Sequence, residues 1–295
     1  MHKIIYTIGL LFCTTSMFAQ STCTTAFEKA MYNKYNDVFD GIDFSAAHWI
    51  TFNNESDIGN RKDDLKKLAL RLSAKLKMDS LLYGKVLNLD YLKDKNGNII
   101  KEANTIKGIY YANEKHEYYR QIQINKEYLK NGNAEEAIKT LAEEIYHACQ
   151  ENEVRKLQRQ DFDRKYVELR REQDKLHKKG TKESRVKLAL VNSQINNLTQ
   201  MIGTIKLWEQ DFNSEVYTVL GEYRQFIINK NTLADNKSYK ALTPSDKISL
   251  ENNVQVSSFN DPAYINRLQN KYLGLQLEKD AKNFADIIVK VYRTK

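Results

Sequence analysis

Apolar positions recur at helical spacing along most of this chain. Phe27, Met31, Tyr35 and Val38 mark a helix over residues 24–39, and Leu65, Leu68, Leu72 and Leu76 mark a second over 61–83. From Val86 the pattern shortens to strand-like pieces, with Asn96-Gly97 as a hairpin signal before Asn98-Ile99-Ile100. Ile106–Tyr111 and Tyr118–Ile124 make a second pair around Asn113-Glu114-Lys115. The expectation is a small antiparallel sheet of three or four strands.

Helical periodicity returns at Ala134 and places Ile138, Leu141, Ile145 and Cys149 on one side of a helix over 134–150, with Glu143 and His147 on an adjacent face. Phe162, Tyr166, Leu169, Gln173 and Leu176 then recur at four-three spacing. After a break at Lys178-Lys179-Gly180, Leu188, Val191, Ile195, Leu198, Ile202 and Ile205 form a heptad seam. A seam needs a cover, and the preceding arm folded back supplies one, giving an antiparallel helical hairpin with its tip near Gly180. Phe212, Val216, Val219, Tyr223 and Phe226 predict the next helix, with Glu215, Thr218 and Glu222 on an offset face. Residues 229–261, with Pro244 and many Asn and Ser, read as a loop-rich connector. One long amphipathic helix over 264–292 closes the chain through Ile265, Leu268, Leu275, Phe284 and Ile288.

Composition narrows the class. With 295 residues, 41% hydrophobic content and two prolines, the chain can bury one substantial core or one core plus a helical arm. The proline-free stretch before Pro244 favours helix. Lys3, the apolar run Ile4–Phe12 and the small residues up to Ala19 read as a secretory signal over 1–19, and imply an exported, periplasmic or secreted protein. Its apolar run is too short to span a bilayer, and no later segment is long enough, so the protein is not expected to be membrane-spanning. The net charge of +8 falls to +7 without Lys3 and is mostly interspersed with acids; no Arg-rich block with interleaved aromatics points to nucleic acid. Cys23 and Cys149 remain after cleavage, and either pair or stay apart as a mobile and a buried thiol; the position of Cys149 beside Ile138, Leu141 and Ile145 favours the latter.

The candidate chemistry lies in Thr140-Leu141-Ala142-Glu143-Glu144-Ile145-Tyr146-His147-Ala148-Cys149-Gln150. In H-E-x-x-H the two histidines sit one helical turn apart and hold Zn²⁺ while the glutamate serves as general base. Here Glu143 stands at the first histidine's place, Glu144 at the base and His147 at the second histidine. The segment resembles the active helix of zincin-like metallopeptidases, T-L-A-H-E, an apolar and a variable residue, then H-A, a variable residue and Q. Thr140, Leu141, Ala142, Glu144, Ile145, His147, Ala148 and Gln150 fit that pattern as they stand. In that family a strand precedes the helix, which 117–125 could supply, and a glutamate on a later helix completes the metal site. Asn213-Ser214-Glu215-Val216-Tyr217-Thr218 is the best local match, which makes Glu215, or else Glu222, the expected third ligand. The resemblance spans about residues 106–228 with an insertion.

The segment supports three readings. In the first, the fold is kept and catalysis lost: a Glu143, His147 and Glu215 set neutralises a divalent ion and weakens its pull on water, leaving a pseudo-peptidase cleft for a peptide or protein ligand. In the second, the mixed site weakly binds zinc, manganese or iron and Glu144 still acts as base. In the third, the likeness is accidental, and the chain is a helical adaptor without metal whose hairpin seam meets a protein partner. Glu144 and His147 also spell E-x-x-H, but a di-iron site needs two such motifs, and His48, His116 and His177 lack the preceding glutamate. The expected architecture is α+β and mostly helical, a zincin-like core with a small antiparallel sheet. Its parts are residues 20–153, a hairpin insertion over 154–208, and 209–295.

Overall fold

The computed structural model describes residues 30–44, 49, 55–78, 87–88, 108–110, 121–124, 134–234, 240, 242–253 and 257–295. Residues 1–19, over which a signal is expected, lie outside the described residues, as do Cys23, His48, His116 and the expected turn at Asn96-Gly97. The chain divides into two compact units, one of Met1–Lys34 with Cys149–Gln210 and the other of Tyr35–Ala148 with Asp211–Lys295. No helix among the described residues is long and apolar enough to cross a membrane.

A short helix at 30–35 leads into the second unit, where a 3-10 turn spans Asn36–Phe39. Helix α1, Glu55–Lys75, buries Leu65, Leu68 and Leu72 completely. It ends earlier than the periodicity predicts. Lys77 turns left-handed at φ 55°, its N–H bonds to Ala74 O, and Met78 N–H bonds to Ser73 O, a Schellman closure that satisfies the last carbonyls. Strand β1 is Leu87–Asn88, β2 is Gly108–Tyr110 and β3 is Ile122–Ile124, in the order β1-β3-β2. The β2–β3 pairing is antiparallel as expected, with Gly108 opposite Ile124 and Tyr110 opposite Ile122. The β1–β3 pairing is parallel, so the sheet is mixed rather than antiparallel. A short connection forces β2 antiparallel, whereas the long chain between β1 and β3 leaves room for a parallel crossover.

Helix α2, Ala134–Gln158, continues beyond the predicted 134–150 span and fully buries Ile138, Leu141 and Ile145. Helices α3, Asp161–Lys179, and α4, Lys182–Phe212, follow in the other unit, with Gly180 at φ 62° making the turn between them. Leu176 of α3 packs with Val191 and Ile195 of α4, with Tyr166, Leu169 and Leu188 around them, and Gln173 Nε2 donates to Asn192 Oδ1 at 2.7 Å. The arms therefore cover each other's seam.

Helix α5 runs Glu215–Ala234. The predicted loop-rich connector is largely helical: α6 spans Pro244–Asn253 and a 3-10 turn spans Ser257–Asn260. Thr243 Oγ1 accepts from Asp246 N–H at 3.2 Å, which caps the helix, and donates to Asp246 Oδ2 at 2.7 Å, and Pro244 sits where its missing N–H costs nothing. The single closing helix is in fact two, α7 at Pro262–Leu273 and α8 at Gln276–Tyr292. Gly274 N–H bonds back to Asn270 O and Lys271 O, Leu275 is extended, and the Leu277 N–H is claimed by Asp211 Oδ2 at 2.9 Å. A glycine of low helix propensity and a capping acid from a distant segment together stop one helix and start the next.

Candidate functional site

Helices α2 and α8 lie antiparallel, as their paired residues show: Glu135 with Arg293, Lys139 with Asp286 at 2.6 Å, and His147 with Glu278 at 3.2 Å. Tyr146 stacks on Phe284 with ring centroids 4.8 Å apart, and Tyr35 meets the same ring edge-on at 5.6 Å. The alignment rests on an apolar stripe of α8, Leu277, Ala281, Phe284, Ala285 and Ile288, of which all but Phe284 are wholly buried. Glu278 belongs to the same face, three residues before Ala281 and seven before Ala285. It is therefore carried inward to 2% exposure by the packing of its neighbours.

One ligand-capable atom from each of Glu143, His147 and Glu278 lies within 4.8 Å of the others. His147 is 7% exposed and Glu143 partly buried. Burial disfavours the imidazolium, yet the adjacent Glu278 carboxylate, reinforced by Glu144 and Glu143, pushes the His147 pKa up to about 9. Burial alone would raise Glu278. The neighbouring imidazolium, a hydrogen bond from Tyr272 and the charge of Lys282 outweigh it, and hold the carboxyl below its usual range. Burial raises Glu143, opposed by His147 and, more distantly, by Lys282 and Lys139, with Glu278 adding to the rise. Near neutrality His147 is thus an imidazolium facing the ionised Glu278 carboxylate, while burial works against the charge of the second carboxyl, Glu143. His147 Nε2 stands 3.2 Å from Glu278 Oε1, and that buried oxygen has no further partner among the described residues. A buried carboxylate oxygen facing an imidazole and a further carboxyl is a donor set suited to a divalent cation, which would take the proton's place on His147.

Glu144 is half-buried next to strand β2. A Cβ on Gly108 would fall 2.7 Å from Thr140 Cγ2 and 3.2 Å from Glu144 Cγ. Only glycine lets the strand lie this close to the helix face that carries the expected base. The sequence reading singled out Glu143, Glu144 and His147, and the structure brings them together. It does not bring Glu215, nor Glu222. Both side chains are exposed, because Ser214 caps α5 through Tyr217 N–H and so leaves Glu215 at the start of the helix, off the stripe of Val216, Val219 and Leu220. The acid that meets His147 is Glu278, which the sequence reading missed. Its signal was an acid in register with Ala281, Ala285 and Val289 on the apolar face of an amphipathic helix.

Cys149 is a buried thiol whose burial, together with the charge of Glu153, pushes its pKa up to about 12, an inert state. No protein-family model matches this chain, and neither a curated protein nor a solved structure is similar to it.

Proposed function

We propose that this chain is an exported, zincin-like metallopeptidase relative whose altered centre is formed by Glu143, His147 and Glu278, with Glu144 in the place of the general base, and which works by binding rather than by hydrolysis. The single observation that carries the reading is the convergence of an imidazole and two carboxylates from two helices within 4.8 Å, one of whose oxygens is buried with no described partner beyond His147. A divalent cation there would supply Lewis acidity to a bound water or carbonyl.

The chain's own residues argue for weak Lewis acidity. Two carboxylates cancel the charge of a divalent ion, where a two-histidine set would leave it positive. His147 must also give up a proton it holds with a pKa of about 9, which costs about 3 kcal/mol at neutral pH and weakens apparent affinity about a hundredfold. Oxygen-rich coordination suits manganese or ferrous iron better than zinc. Glu144, held against Gly108, is positioned to orient a polar group of a ligand at this face.

The test is metal titration of purified protein. Wild type is expected to bind Mn²⁺ weakly and little Zn²⁺, Glu278→Gln to lose at least about tenfold in Mn²⁺ affinity, and Glu143→His to gain zinc. A Glu143→His protein that takes up no more zinc than wild type sinks the reading. Chelator-sensitive, Glu144-dependent cleavage of a peptide library would replace the binding role with an active peptidase.

A further inference from the structure

We infer that the tip of the α3–α4 hairpin is a docking surface for an anionic phospholipid bilayer. Between Asp174 and Lys187 the chain carries six cations against two acids, half of its net charge of +8 in fourteen residues. Lys187 is held by Glu183 at 2.8 Å, one turn away on the same helix. The other five, Lys175, Lys178, Lys179, Lys182 and Arg185, are exposed and meet no acid within ion-pair distance among the described residues. Elsewhere such cations are scattered: Arg164 pairs with Asp161, Arg293 with Glu135 and Lys295 with Asp40, whereas Lys165 and Lys206 are exposed with no acid within ion-pair distance among the described residues, and nothing else gathers five of them around one turn.

Local bonds and packing close the tip. Gly180 turns left-handed, Thr181 Oγ1 accepts from Ser184 N–H at 3.1 Å to cap α4, and Leu176 with Val191 and Ile195 locks the two arms. Five unpaired cations are thus displayed around one locally closed turn. In their midst Val186 is 70% exposed, the most exposed of the large apolar side chains among the described residues. Cations that attract anionic headgroups beside an apolar side chain that can enter the interface form the pattern of a peripheral membrane contact. No Phe, Tyr or Trp lies between Asp174 and Lys187, and His177 is the one ring there, which makes single-stranded nucleic acid a poorer fit than an anionic bilayer. The part of the heptad seam nearest the tip, Leu188, Val191 and Ile195, is covered by the other arm and is not free to meet a partner.

The experiment is co-sedimentation of full-length protein with large vesicles of phosphatidylcholine containing about a third phosphatidylglycerol, at about 0.1 M salt, where charges act over about 10 Å. Wild type is expected to bind these vesicles and not pure phosphatidylcholine. Lys178→Glu with Lys182→Glu should weaken binding at least about tenfold, and Val186→Ser by about two- to threefold. The double variant Lys165→Glu with Lys206→Glu makes the same charge change at exposed sites of the same two arms, fifteen and twenty-six residues from Gly180, and should alter binding less than about twofold. Far-ultraviolet circular dichroism checks that each variant stays folded. Equal binding to neutral vesicles, equal losses from the tip and control variants, or tighter binding to a single-stranded oligonucleotide than to the anionic vesicles would each overturn the inference.

Discussion

Glu215 and Glu278 occupy similar places in their helices, and the molecule treats them in opposite ways. Each is an acid in the first turn, where the exposed amides favour negative charge. Ser214 caps the helix of Glu215 locally, and Val216, Val219 and Leu220 turn that glutamate out to solvent. Asp211 caps the helix of Glu278 from sixty-six residues away, and Leu277, Ala281 and Ala285 turn that glutamate into the protein, where it meets His147. The same residue at the same kind of position is a solvated surface charge in one helix and half of a buried ion pair in the other. Orientation about the helix axis, set by neighbours three and four residues on, decides which.

The comparison is broken most strongly by removing the buried acid. Glu278→Ala leaves the imidazole without its counter-charge, and urea unfolding at neutral pH should show a loss of about 3 kcal/mol, whereas Glu215→Ala should change stability by less than about 0.5 kcal/mol. Equal effects from the two would mean that the buried pair does not hold α2 to α8.

The pH dependence sharpens the same contrast. His147 has its folded pKa raised from 6.5 to about 9, so its contribution is fully present below about pH 6.5 and is lost as pH rises through about 9. Glu278 has its folded pKa lowered, so its contribution is present above 4.5 and is lost as pH falls below that. In metal-free protein, unfolding free energy should therefore peak between these limits and fall by about 3 kcal/mol towards pH 9. The alkaline fall should flatten in His147→Gln, and a wild-type profile that stays level from pH 6 to about 9 would contradict the pairing.

A smaller effect is expected at Gly108→Ala, whose methyl group would press on Thr140 and Glu144 and cost about 1–3 kcal/mol in thermal or urea unfolding. Unchanged stability there would mean that β2 does not press on this helix face. Smallest of all is the far end of the same helix pair, where Arg293 and Glu135 meet in solvent. Arg293→Gln should leave the unfolding midpoint unmoved at about 0.5 M salt, because screening and side-chain entropy cancel an exposed pair.

Much of this was legible in local pattern. The four-residue spacing of Glu143 and His147 puts them on one helix face wherever the helix packs, and the two apolar strings around Gly180 specify a pair of arms with a turn between them. Strand pairing between 108–110 and 122–124 followed from two short apolar runs with a near turn. The misreadings share a cause. Gly274 interrupts an apolar stripe whose register continues across it, so periodicity alone joined α7 to α8. Pro244 and Thr243 look like loop residues until Asp246 is counted as the third member of a cap. The parallel partner of β1 could not be inferred from strand content, because direction depends on where the intervening chain travels.

By itself, then, the sequence determined the local elements and the side of each helix on which His147, Glu143 and Glu144 would stand, because those depend on neighbours within a turn or two of backbone. Which acid faces His147 was decided by tertiary structure alone. The choice between Glu215 and Glu278 rests on where α8 begins and against which helix it packs. Both are set by Asp211 and by the rings of Phe284 and Tyr146, contacts between residues far apart in the chain.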